Sequence, residues 1–566
     1  MNRRYGLIVW VWWMVWPAVW GYDRPTGANF QSRSVVMARH GMVATSHPWA
    51  AQVGLDVLRR GGHAVDAAIA VNAMLGVVEP MSCGIGGDLF AIVYDARSQQ
   101  VYGLNASGRS PRRLTREEVR RRGYAEIPET GPLSWSVPGC VDGWQQLLTR
   151  FGSRSLKELL APAIATAEEG FPVSEIIASH WQQAEDDLRA WPDSARVFLP
   201  GGRAPRAGDV VRLPELAASY RLIAEHGPDV FYRGELARQI VEFSQQHGGY
   251  FDLEDFAQHH ADWVLPLSIN YRGYDVWELP PNTQGLAALQ MLNILEGYDL
   301  RGWGPFSPDY LHVWIEAKKL AFADRARYYA DPAFATLPLD FLLSKEYAAE
   351  RRKKIDWQQA AVEVEPGRLP RPADTVYLTV VDAERNCCSL IQSIYYSFGS
   401  QVVPGRVGFA LQNRGTLFAM DDEHPNRLEP GKRPFHTIIP ALVTRDRRPV
   451  FCFGVMGGDM QAQGHVQVLV NLIDFGMNPQ AAGDAPRIRH DGSASPTGSP
   501  SAAGGGTVWV ESGMPPHVLE ALARRGHRVQ VGRSGFGGYQ GIWIDWEHGV
   551  LHGASDPRKD GCAVGY

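Results

Sequence analysis

The first residue that could do chemistry is a threonine two-thirds of the way along the chain. Thr375 opens the β-type run TVYLTVVD (375–382), directly after Asp374 and a polar stretch that begins near residue 350. A threonine hydroxyl is a weak nucleophile unless a base lies beside it, and an N-terminal threonine carries such a base in its own α-amine. Thr375 would gain this amine only if the bond between Asp374 and Thr375 were cut.

The pKa values of amines explain why an α-amine would suit this role. An α-amine has a pKa of about 7.7–8.0, so a substantial fraction is free base near neutral pH, whereas lysine with a pKa of about 10.4 is almost fully protonated. Threonine is also common in ordinary strands, so the pattern alone leaves a purely structural Thr375 open.

The elements that would position this residue follow from hydrophobic periodicity and turn residues. Helices are predicted at 49–60, 64–78, 284–297, 310–329 and 465–476, with a mostly helical region at 138–240. Strands are predicted at 89–95, 101–106, 274–280, 375–382, 387–396, 407–412, 438–445 and 450–456. Helices mixed with antiparallel-style strand pairs predict a layered α+β sandwich.

Composition excludes several classes of protein. The 566 residues are 45% hydrophobic and 21% charged, which is typical of a globular chain, and the net charge of −5 argues against nucleic acid as a partner. The six cysteines form no CxxC pair, so neither a disulfide scaffold nor a zinc ribbon is expected. Adjacent Cys387 and Cys388 should point to opposite faces of their strand.

The N-terminus has two interpretations. Arg3 and Arg4 precede an apolar run from Leu7 to Val19, as in a secretory signal peptide. Residues 1–34 are therefore either a signal segment of an exported or membrane-tethered protein, or an upstream extension of a cytoplasmic protein that starts at Met14 or Met37.

Familiar catalytic and cofactor motifs are missing. CGIGGDLF (83–90) is rich in glycine, but it lies between a helix and a strand, the reverse of the order in nucleotide-binding loops. A tight loop in which backbone approaches backbone explains it better. The sequence has no HExxH or GxSxG motif, and we expect no metal or organic cofactor.

Several motifs occur in an order that is similar to one known family. They are VVEPMSCGIGGDLF (77–90), PGCVDGW (138–144), EAKKLAFADRARYYADP (316–332), DTVYLTVVD (374–382), FGSQVVPG (398–405), LQNRG (411–415), PGKRPFHTIIPALV (430–443), VMGGDMQAQGHVQ (455–467) and ASDPRKDGCAVGY (554–566). Together they resemble the γ-glutamyltranspeptidase family of N-terminal-nucleophile hydrolases, from about residue 35 to the C-terminus.

The resemblance implies a four-layer αββα sandwich made as one proenzyme. Cleavage between Asp374 and Thr375 would give a helix-rich large subunit (35–374) and a small subunit (375–566), which stay associated. Thr375 would then attack a small-molecule amide, and water or an amine acceptor would take the acyl group from the acyl-enzyme.

Other catalytic positions are carried over from the same resemblance. Gly457 and Gly458 match the glycine pair whose backbone N–H groups stabilise the oxyanion, although an ordinary turn after a strand would look the same. Ser393 matches a hydroxyl residue that hydrogen-bonds near the nucleophile, although it would also suit a solvent-facing strand position.

The residues expected to recognise a glutamyl group differ from the family pattern. Ser107 replaces an arginine that grips the α-carboxylate, and Leu417 replaces an aspartate that binds the α-amine. A leucine cannot pair with an ammonium group, so recognition of a γ-glutamyl amino acid is in question. The remaining substrate-binding candidates are Arg109, Tyr395, Arg414, His436 and Thr437.

The two arginines in this set have a specific expected role. Arg109 lies two residues after Ser107 and would share its face if the strand continued, and either Arg109 or Arg414 could hold a carboxylate. Structural ion pairing is the alternative for both.

The predicted function is therefore an autoprocessed threonine amidohydrolase or acyltransferase. Its substrate would carry a γ-glutamyl (glutathione-like) group or another carboxylate-bearing acyl group. The rival hypothesis is a non-catalytic small-molecule binding protein that retains the fold but never cleaves.

Overall fold

Two antiparallel sheets of seven strands lie face to face, and helices cover the outer side of each sheet. The structure, a computed structural model, describes residues 26–362 and 374–566. The strands in chain order are β1 (Val36–Ala38), β2 (Met42–Thr45), β3 (Asp88–Asp95), β4 (Gln100–Ala106), β5 (Phe171–Pro172), β6 (Val210–Val211), β7 (Asp262–Val264), β8 (Leu267–Tyr271), β9 (Tyr274–Glu278), β10 (Asp374–Val381), β11 (Cys387–Tyr395), β12 (Ala441–Arg445), β13 (Arg448–Met456), β14 (Ile488–Asp491), β15 (Thr507–Val510), β16 (Val529–Val531), β17 (Gly538–Asp545), β18 (Val550–Ser555) and β19 (Cys562–Gly565).

Most of the helices lie before residue 353, and the last three follow β13 in the C-terminal part of the chain. In chain order they are α1 (Pro48–Arg59), α2 (Ala64–Val78), α3 (Arg116–Arg121), α4 (Cys140–Phe151), α5 (Leu156–Glu169), α6 (Glu175–Gln183), α7 (Glu185–Arg189), α8 (Pro192–Phe198), α9 (Pro214–His226), α10 (Asp229–Tyr232), α11 (Glu235–Gln246), α12 (Leu253–Ala257), α13 (Gly285–Leu295), α14 (Leu300–Trp303), α15 (Pro308–Tyr328), α16 (Leu339–Leu343), α17 (Lys345–Arg352), α18 (Met460–Ile473), α19 (Pro479–Asp484) and α20 (Pro516–Arg524).

The strand order brings two distant parts of the chain together. The first sheet runs β19-β2-β10-β11-β3-β4-β7, and the second runs β1-β18-β17-β13-β12-β9-β8. Both β10 and β13 are therefore interior strands of their sheets. They pack closely, because a Cβ placed on Gly454 would lie 2.4 Å from Cε2 of Tyr377. The start of β10 and the end of β13 lie on the same side of the sandwich.

Three apolar clusters fill the spaces between the four layers. Helix α2 is buried along its whole length against the first sheet, as its uniformly apolar sequence predicts. Cys388 lies in that helix–sheet cluster, whereas Cys387 lies in the cluster between the sheets, which confirms that the two side chains point to opposite faces. Helices α13, α15 and α18 cover the second sheet.

The predicted strand at 407–412 is wrong. Its apolar residues are buried, but they lie in a loop that folds against α9 and runs beside 400–402. Gly408 has φ +76°, and a Cβ there would lie 2.2 Å from the backbone nitrogen of Leu216. A continuous apolar run records burial, but it does not show whether the backbone pairs in a sheet.

The glycine loop at 83–90 is the tight loop that the sequence predicts. A Cβ on Gly86 would lie 2.1 Å from the carbonyl oxygen of Ala410, and a Cβ on Gly87 would lie 2.3 Å from that of Ser393. Backbone therefore approaches backbone at both positions, and side chains larger than hydrogen would push the strands apart. The loop braces the end of β11 that carries Ser393.

The N-terminal apolar run from Leu7 to Val19 lies outside the described residues. Within 26–362 and 374–566, no helix combines the length and apolarity that a membrane span requires. Residues just after the run are anchored to the fold, because Ser32 donates through both its backbone N–H and its hydroxyl to Asp484, at 2.6 and 2.8 Å. The subunit boundaries at 34 and 374 stay predictions.

Candidate active site

A cavity of about 660 Å³ opens where β10 begins and β13 ends. Some of its lining residues are buried and form what we call the inner part; others are exposed and form the outer part. The inner part includes Thr375, Tyr395, Leu417, Phe435, Thr437 and Gly458, and the outer part includes Thr130, Gln183, Asp187, Arg533 and Ser534.

Thr375 occupies an irregular position in its strand. The register of β10 against β11 shifts between Asp374 and Val376, so Thr375 lies in a β-bulge. Bulges re-aim side chains and are frequent beside active sites. Thr375 is only 1% exposed; its hydroxyl donates to Ser393 Oγ at 3.3 Å, and the same Oγ accepts the backbone N–H of Tyr395 at 2.8 Å. Ser393 thus orients the Thr375 hydroxyl from behind.

The glycine pair follows β13 directly and leads into α18. Gly457 has φ +117° and Gly458 has φ +58°, and the first of these values lies in a region that side-chain-bearing residues rarely adopt. Space is also short, because a Cβ on Gly457 would lie 3.0 Å from Cα of Gly537. Both carbonyl groups accept hydrogen bonds from the first turn of α18. Glycine is therefore required at Gly457 by both conformation and space.

A buried hydrogen-bond network holds this pair from below. Arg325 donates to both carboxylate oxygens of Asp459, at 2.6 and 3.0 Å, and to Gln284 Oε1 at 2.6 Å. Gln284 in turn donates to the carbonyl groups of Thr437 (2.6 Å) and Gly458 (2.9 Å). Burial opposes ionisation of Asp459, but Arg325 outweighs it and holds the pKa of Asp459 below its usual value.

Sequence reasoning did not single out Arg325, Gln284 or Asp459 as site residues. Arg325 and Asp459 lie inside the quoted motifs EAKKLAFADRARYYADP and VMGGDMQAQGHVQ, so the motifs marked the segments without indicating these roles. The pairing joins residues 134 positions apart and could not be deduced from spacing.

Arg414 lies behind the inner part of the cavity and is completely buried. Its Nη1 donates to the Thr437 hydroxyl at 2.8 Å, and its guanidinium lies 4.5 Å from the ring centroid of Tyr395. Its Nε and Nη2 have no hydrogen-bond partner among the described residues. Burial lowers the pKa of Arg414 to about 10, so the group stays charged at neutral pH. A buried cation with free donors is costly unless an anion joins it.

Tyr395 itself is conformationally unusual. Its φ is +81°, which is strained for an aromatic residue and is found mainly where surrounding structure enforces it. Its ring stacks on Tyr396 with a centroid separation of 4.3 Å. The strained backbone places the ring between the cavity and Arg414.

His436 is fully buried and does not line the cavity. Its Nε2 lies 3.0 Å from Asp88 Oδ2, and its ring meets Phe90 edge-on. Burial, together with the nearby Arg414 charge, lowers the pKa of His436 to about 4, so the ring is neutral at physiological pH. His436 is therefore close enough to Arg414 to feel its charge, but it does not contact the cavity.

Arg109 lies outside the cavity, beside a separate shallow depression. Strand β4 ends at Ala106, so the alternation that would have placed Arg109 on the face of Ser107 does not extend that far. The Arg109 guanidinium instead lies 3.3 Å from Asp262, which also pairs with Arg433 at 2.6 Å.

The predicted residues therefore separate into three groups. Ser393, Arg414 and His436 are buried without lining the cavity, and the first two bond to residues that do line it. Arg109 is remote from this set. Those that line the cavity are Thr375, Tyr395, Thr437, Gly457 and Gly458.

One buried cluster consists of residue types that commonly bind metal ions. His312, Glu316 and His527 are buried, and their polar atoms lie within 4.8 Å of one another. Protein partners already occupy these atoms, because His312 Nδ1 lies 2.8 Å from His527 Nε2 and Glu316 accepts from Lys319 at 2.8 Å. The cluster lies away from the cavity, and His312 Nε2 lies 2.7 Å from the carbonyl oxygen of Asp356. It thus fastens the segment that precedes the predicted cleavage site.

The fold and the site together define the class of protein to which the chain belongs. The four-layer αββα sandwich, with a threonine at the start of an interior strand and a glycine pair facing it from the other sheet, is the architecture of the N-terminal-nucleophile hydrolases. The chain belongs to the gamma-glutamyltranspeptidase family, whose model matches residues 50–566.

Individual relatives extend this assignment. The chain is 39% identical to the glutathione hydrolase-like YwrD proenzyme of Bacillus subtilis, over 94% of this chain and all of that one. It is 37% identical to the acylase ACY 1 proenzyme of a Pseudomonas species, over 93% of each chain. The crystal structure of cephalosporin acylase from Bacillus halodurans superposes with a TM-score of 0.88 at 45% identity, covering 98% of this chain and 99% of that one. The protein is therefore an enzyme of this family, and a non-catalytic binding protein is not favoured.

Proposed function

We propose that the chain cuts itself between Asp374 and Thr375 and that the freed Thr375 then hydrolyses or transfers carboxylate-bearing acyl groups. In the first step Thr375 Oγ attacks the carbonyl carbon of residue 374, the peptide nitrogen leaves as the new α-amine, and water hydrolyses the resulting ester. The two chains, 35–374 and 375–566, remain associated through the sheets they share.

In the second step the α-amine takes the proton of the Thr375 hydroxyl as Oγ attacks a substrate amide. The N–H groups of Gly457 and Gly458 stabilise the oxyanion, a contribution of about 3–4 kcal/mol per donor in related sites. The leaving amine receives the proton, and water or an acceptor amine then releases the acyl group from Thr375. The observation that carries this proposal is the Thr375 bulge in the inner part of the cavity, with Ser393 behind the hydroxyl.

Arg414 supports an acyl group that ends in a carboxylate. Its two unpartnered donors lie behind Thr437 and Tyr395, where an anion would satisfy them. Leu417 lines the same inner part and offers no partner for an ammonium group. A glutaryl-type group therefore fits this site better than a γ-glutamyl group, which carries an α-amine. The names of the relatives, glutathione hydrolase-like and acylase, span both alternatives.

The test combines mass spectrometry with a substrate panel. Intact mass and N-terminal sequencing of the purified protein should give two chains, the smaller beginning Thr-Val-Tyr-Leu. Glutaryl-anilide should be hydrolysed with a higher kcat/KM than γ-glutamyl-anilide. One uncut chain with full activity would refute the mechanism, and faster turnover of γ-glutamyl-anilide would refute the assigned acyl preference.

A further inference from the structure

The arginines that line the cavity differ in whether an acid already neutralises them. Arg489 lies 2.9 Å from Asp491, and Arg558 donates to both carboxylate oxygens of Glu511 at 2.6 and 2.5 Å. Arg533 lines the same cavity and is exposed, and it has no ion pair or hydrogen bond of its side chain within the described ranges. It is therefore a cation at the cavity to which the described part of the chain supplies no counter-ion.

Arg533 belongs to a short segment, residues 532–537, that we call the lip. Arg489 Nη1 donates to the carbonyl of Gly535 at 2.8 Å, and Arg487 Nη1 donates to that of Phe536 at 2.7 Å. The end of the lip lies against the oxyanion glycines, because a Cβ on Gly457 would lie 3.0 Å from Cα of Gly537. Two arginines thus hold the lip backbone in place beside the reacting centre.

The position of the lip indicates which part of a substrate it meets. The acyl group occupies the inner part, among the buried residues Tyr395, Leu417 and Thr437. Whatever is bonded to the other side of the scissile amide must extend from Thr375 into the outer part, which Arg533 lines. Asp187 is another exposed residue of the outer part, and its charge would repel an anion, so Arg533 is the favourable contact for a carboxylate there.

We propose that Arg533 is a specificity-determining residue that binds a carboxylate on the leaving amine, and equally on an amine acceptor. The proposal rests on the acyl-transfer function above and adds a second anionic group to the substrate. Arginine suits this role because its planar fork can contact both oxygens of a carboxylate.

The decisive measurement uses four substrates that separate the two carboxylate positions. Glutaryl-anilide carries a carboxylate on the acyl group only, butyryl-3-aminobenzoate on the leaving group only, glutaryl-3-aminobenzoate on both and butyryl-anilide on neither. For each substrate the ratio of kcat/KM between Arg533→Ala and the unmutated enzyme cancels its intrinsic reactivity. We expect a loss of about fivefold for both aminobenzoates, the size of one exposed ion pair, and less than twofold for both anilides.

Two further variants sharpen the measurement. Arg533→Lys keeps the charge and should recover part of the loss, and the gap between arginine and alanine should narrow in 0.5 M salt because exposed charges are screened. Arg528→Ala is the matched control, because Arg528 is an exposed arginine of the same C-terminal segment that does not line the cavity. For the Arg528→Ala variant, the kcat/KM ratio to the unmutated enzyme should be close to one for all four substrates.

Several outcomes would overturn the assignment. A loss confined to glutaryl substrates would move the carboxylate site of Arg533 to the acyl side, and equal losses for all four would indicate a structural role. No loss for any substrate, with normal self-cleavage and turnover, would refute the role of Arg533 while leaving the proposed function intact. If the unmutated protein neither cuts itself nor hydrolyses any amide, both the proposed function and the role of Arg533 are refuted.

Discussion

Two neighbouring parts of the site differ in how their polar groups are satisfied. Around the nucleophile, Thr375 donates to Ser393, and Asp459 is held by two hydrogen bonds from Arg325. Behind Thr437, at the inner part of the cavity, Arg414 has two donors without partners among the described residues. Of the groups named in the first region, only Arg325 Nε lacks a partner among the described residues, whereas Arg414 lacks partners for two of its three nitrogens.

This difference has a physical meaning. An unpaired buried polar group costs about 1–3 kcal/mol, and an unpaired buried charge costs more. Groups that position Thr375 and the glycine pair contribute to stability and catalysis together. Arg414 reduces stability until a ligand joins it, which is the pattern expected where binding of an anion is the function.

The largest predicted effect is the loss of self-cleavage and activity when the nucleophile is removed. Thr375→Ala should remain a single uncut chain with no amidase activity, because it removes the attacking oxygen for both steps. Intact mass and hydrolysis of glutaryl-anilide measure the two losses. Thr375→Ser, which keeps the hydroxyl, should restore cleavage.

The control for this variant lies on the same strand. Thr379→Val replaces a buried threonine of β10 that does not line the cavity, and it should cut itself normally. A cleaved and active Thr375→Ala protein would contradict the assignment of the nucleophile.

The next largest effect concerns the glycine pair. Gly457→Ala should lower kcat by about 100-fold, because alanine does not tolerate φ +117° and displaces the oxyanion donors. Initial rates with saturating glutaryl-anilide measure this. Gly123→Ala is the matched control, since Gly123 has φ +84° and open space outside the site. Similar rate losses in both variants would show that backbone strain alone is responsible.

A smaller predicted effect tests directly whether the unpartnered donors of Arg414 bind the acyl carboxylate. Arg414→Met should lower kcat/KM for glutaryl-anilide by about 10- to 100-fold, the range for a hydrogen-bonded charged group, and should leave butyryl-anilide nearly unchanged. The thermal midpoint should stay the same or rise, because an apolar side chain replaces an unpaired buried cation. A lower midpoint with equal losses for both substrates would mean that Arg414 is structural.

The smallest predicted effect is a pH dependence. The folded-state pKa of His436, about 4, lies below its ordinary value of 6.5, so only the unfolded chain takes up this proton between those values. The contribution of His436 is fully present above pH 6.5 and is lost as pH falls toward 4. From pH 7.5 to 5.0 this amounts to about 2 kcal/mol.

The measurement uses the uncut Thr375→Ala chain, so that subunit dissociation does not contribute. His436→Gln in that background should reduce the drop in thermal midpoint between pH 7.5 and 5.0 by about 2 °C. His226→Gln, at the exposed end of α9, should leave the drop unchanged. An unchanged drop in His436→Gln would mean that His436 does not titrate differently on folding.

Periodicity predicted the elements of the core well but was less reliable for loops. Helix α2 and the hairpin of β10 and β11 follow the sequence pattern closely, because each has one dominant local signal. The segment 407–412 has the same apolar character without forming a strand, since it packs on α9 and its backbone bonds to the loops at 400–402 and Gly86. Arg109 failed to reach the cavity because β4 ends three residues earlier, a boundary that alternation cannot reveal.

The sequence by itself determined the family, the position of Thr375 and the glycine pair, since these depend on residue type and on motif order along the chain. Only the tertiary structure decided which charges are paired. Arg325 pairs with Asp459, whereas Arg414 and Arg533 form no ion pair with any of the described residues. Electrostatic partners are set by distances across the two sheets, and residues more than a hundred positions apart supply them.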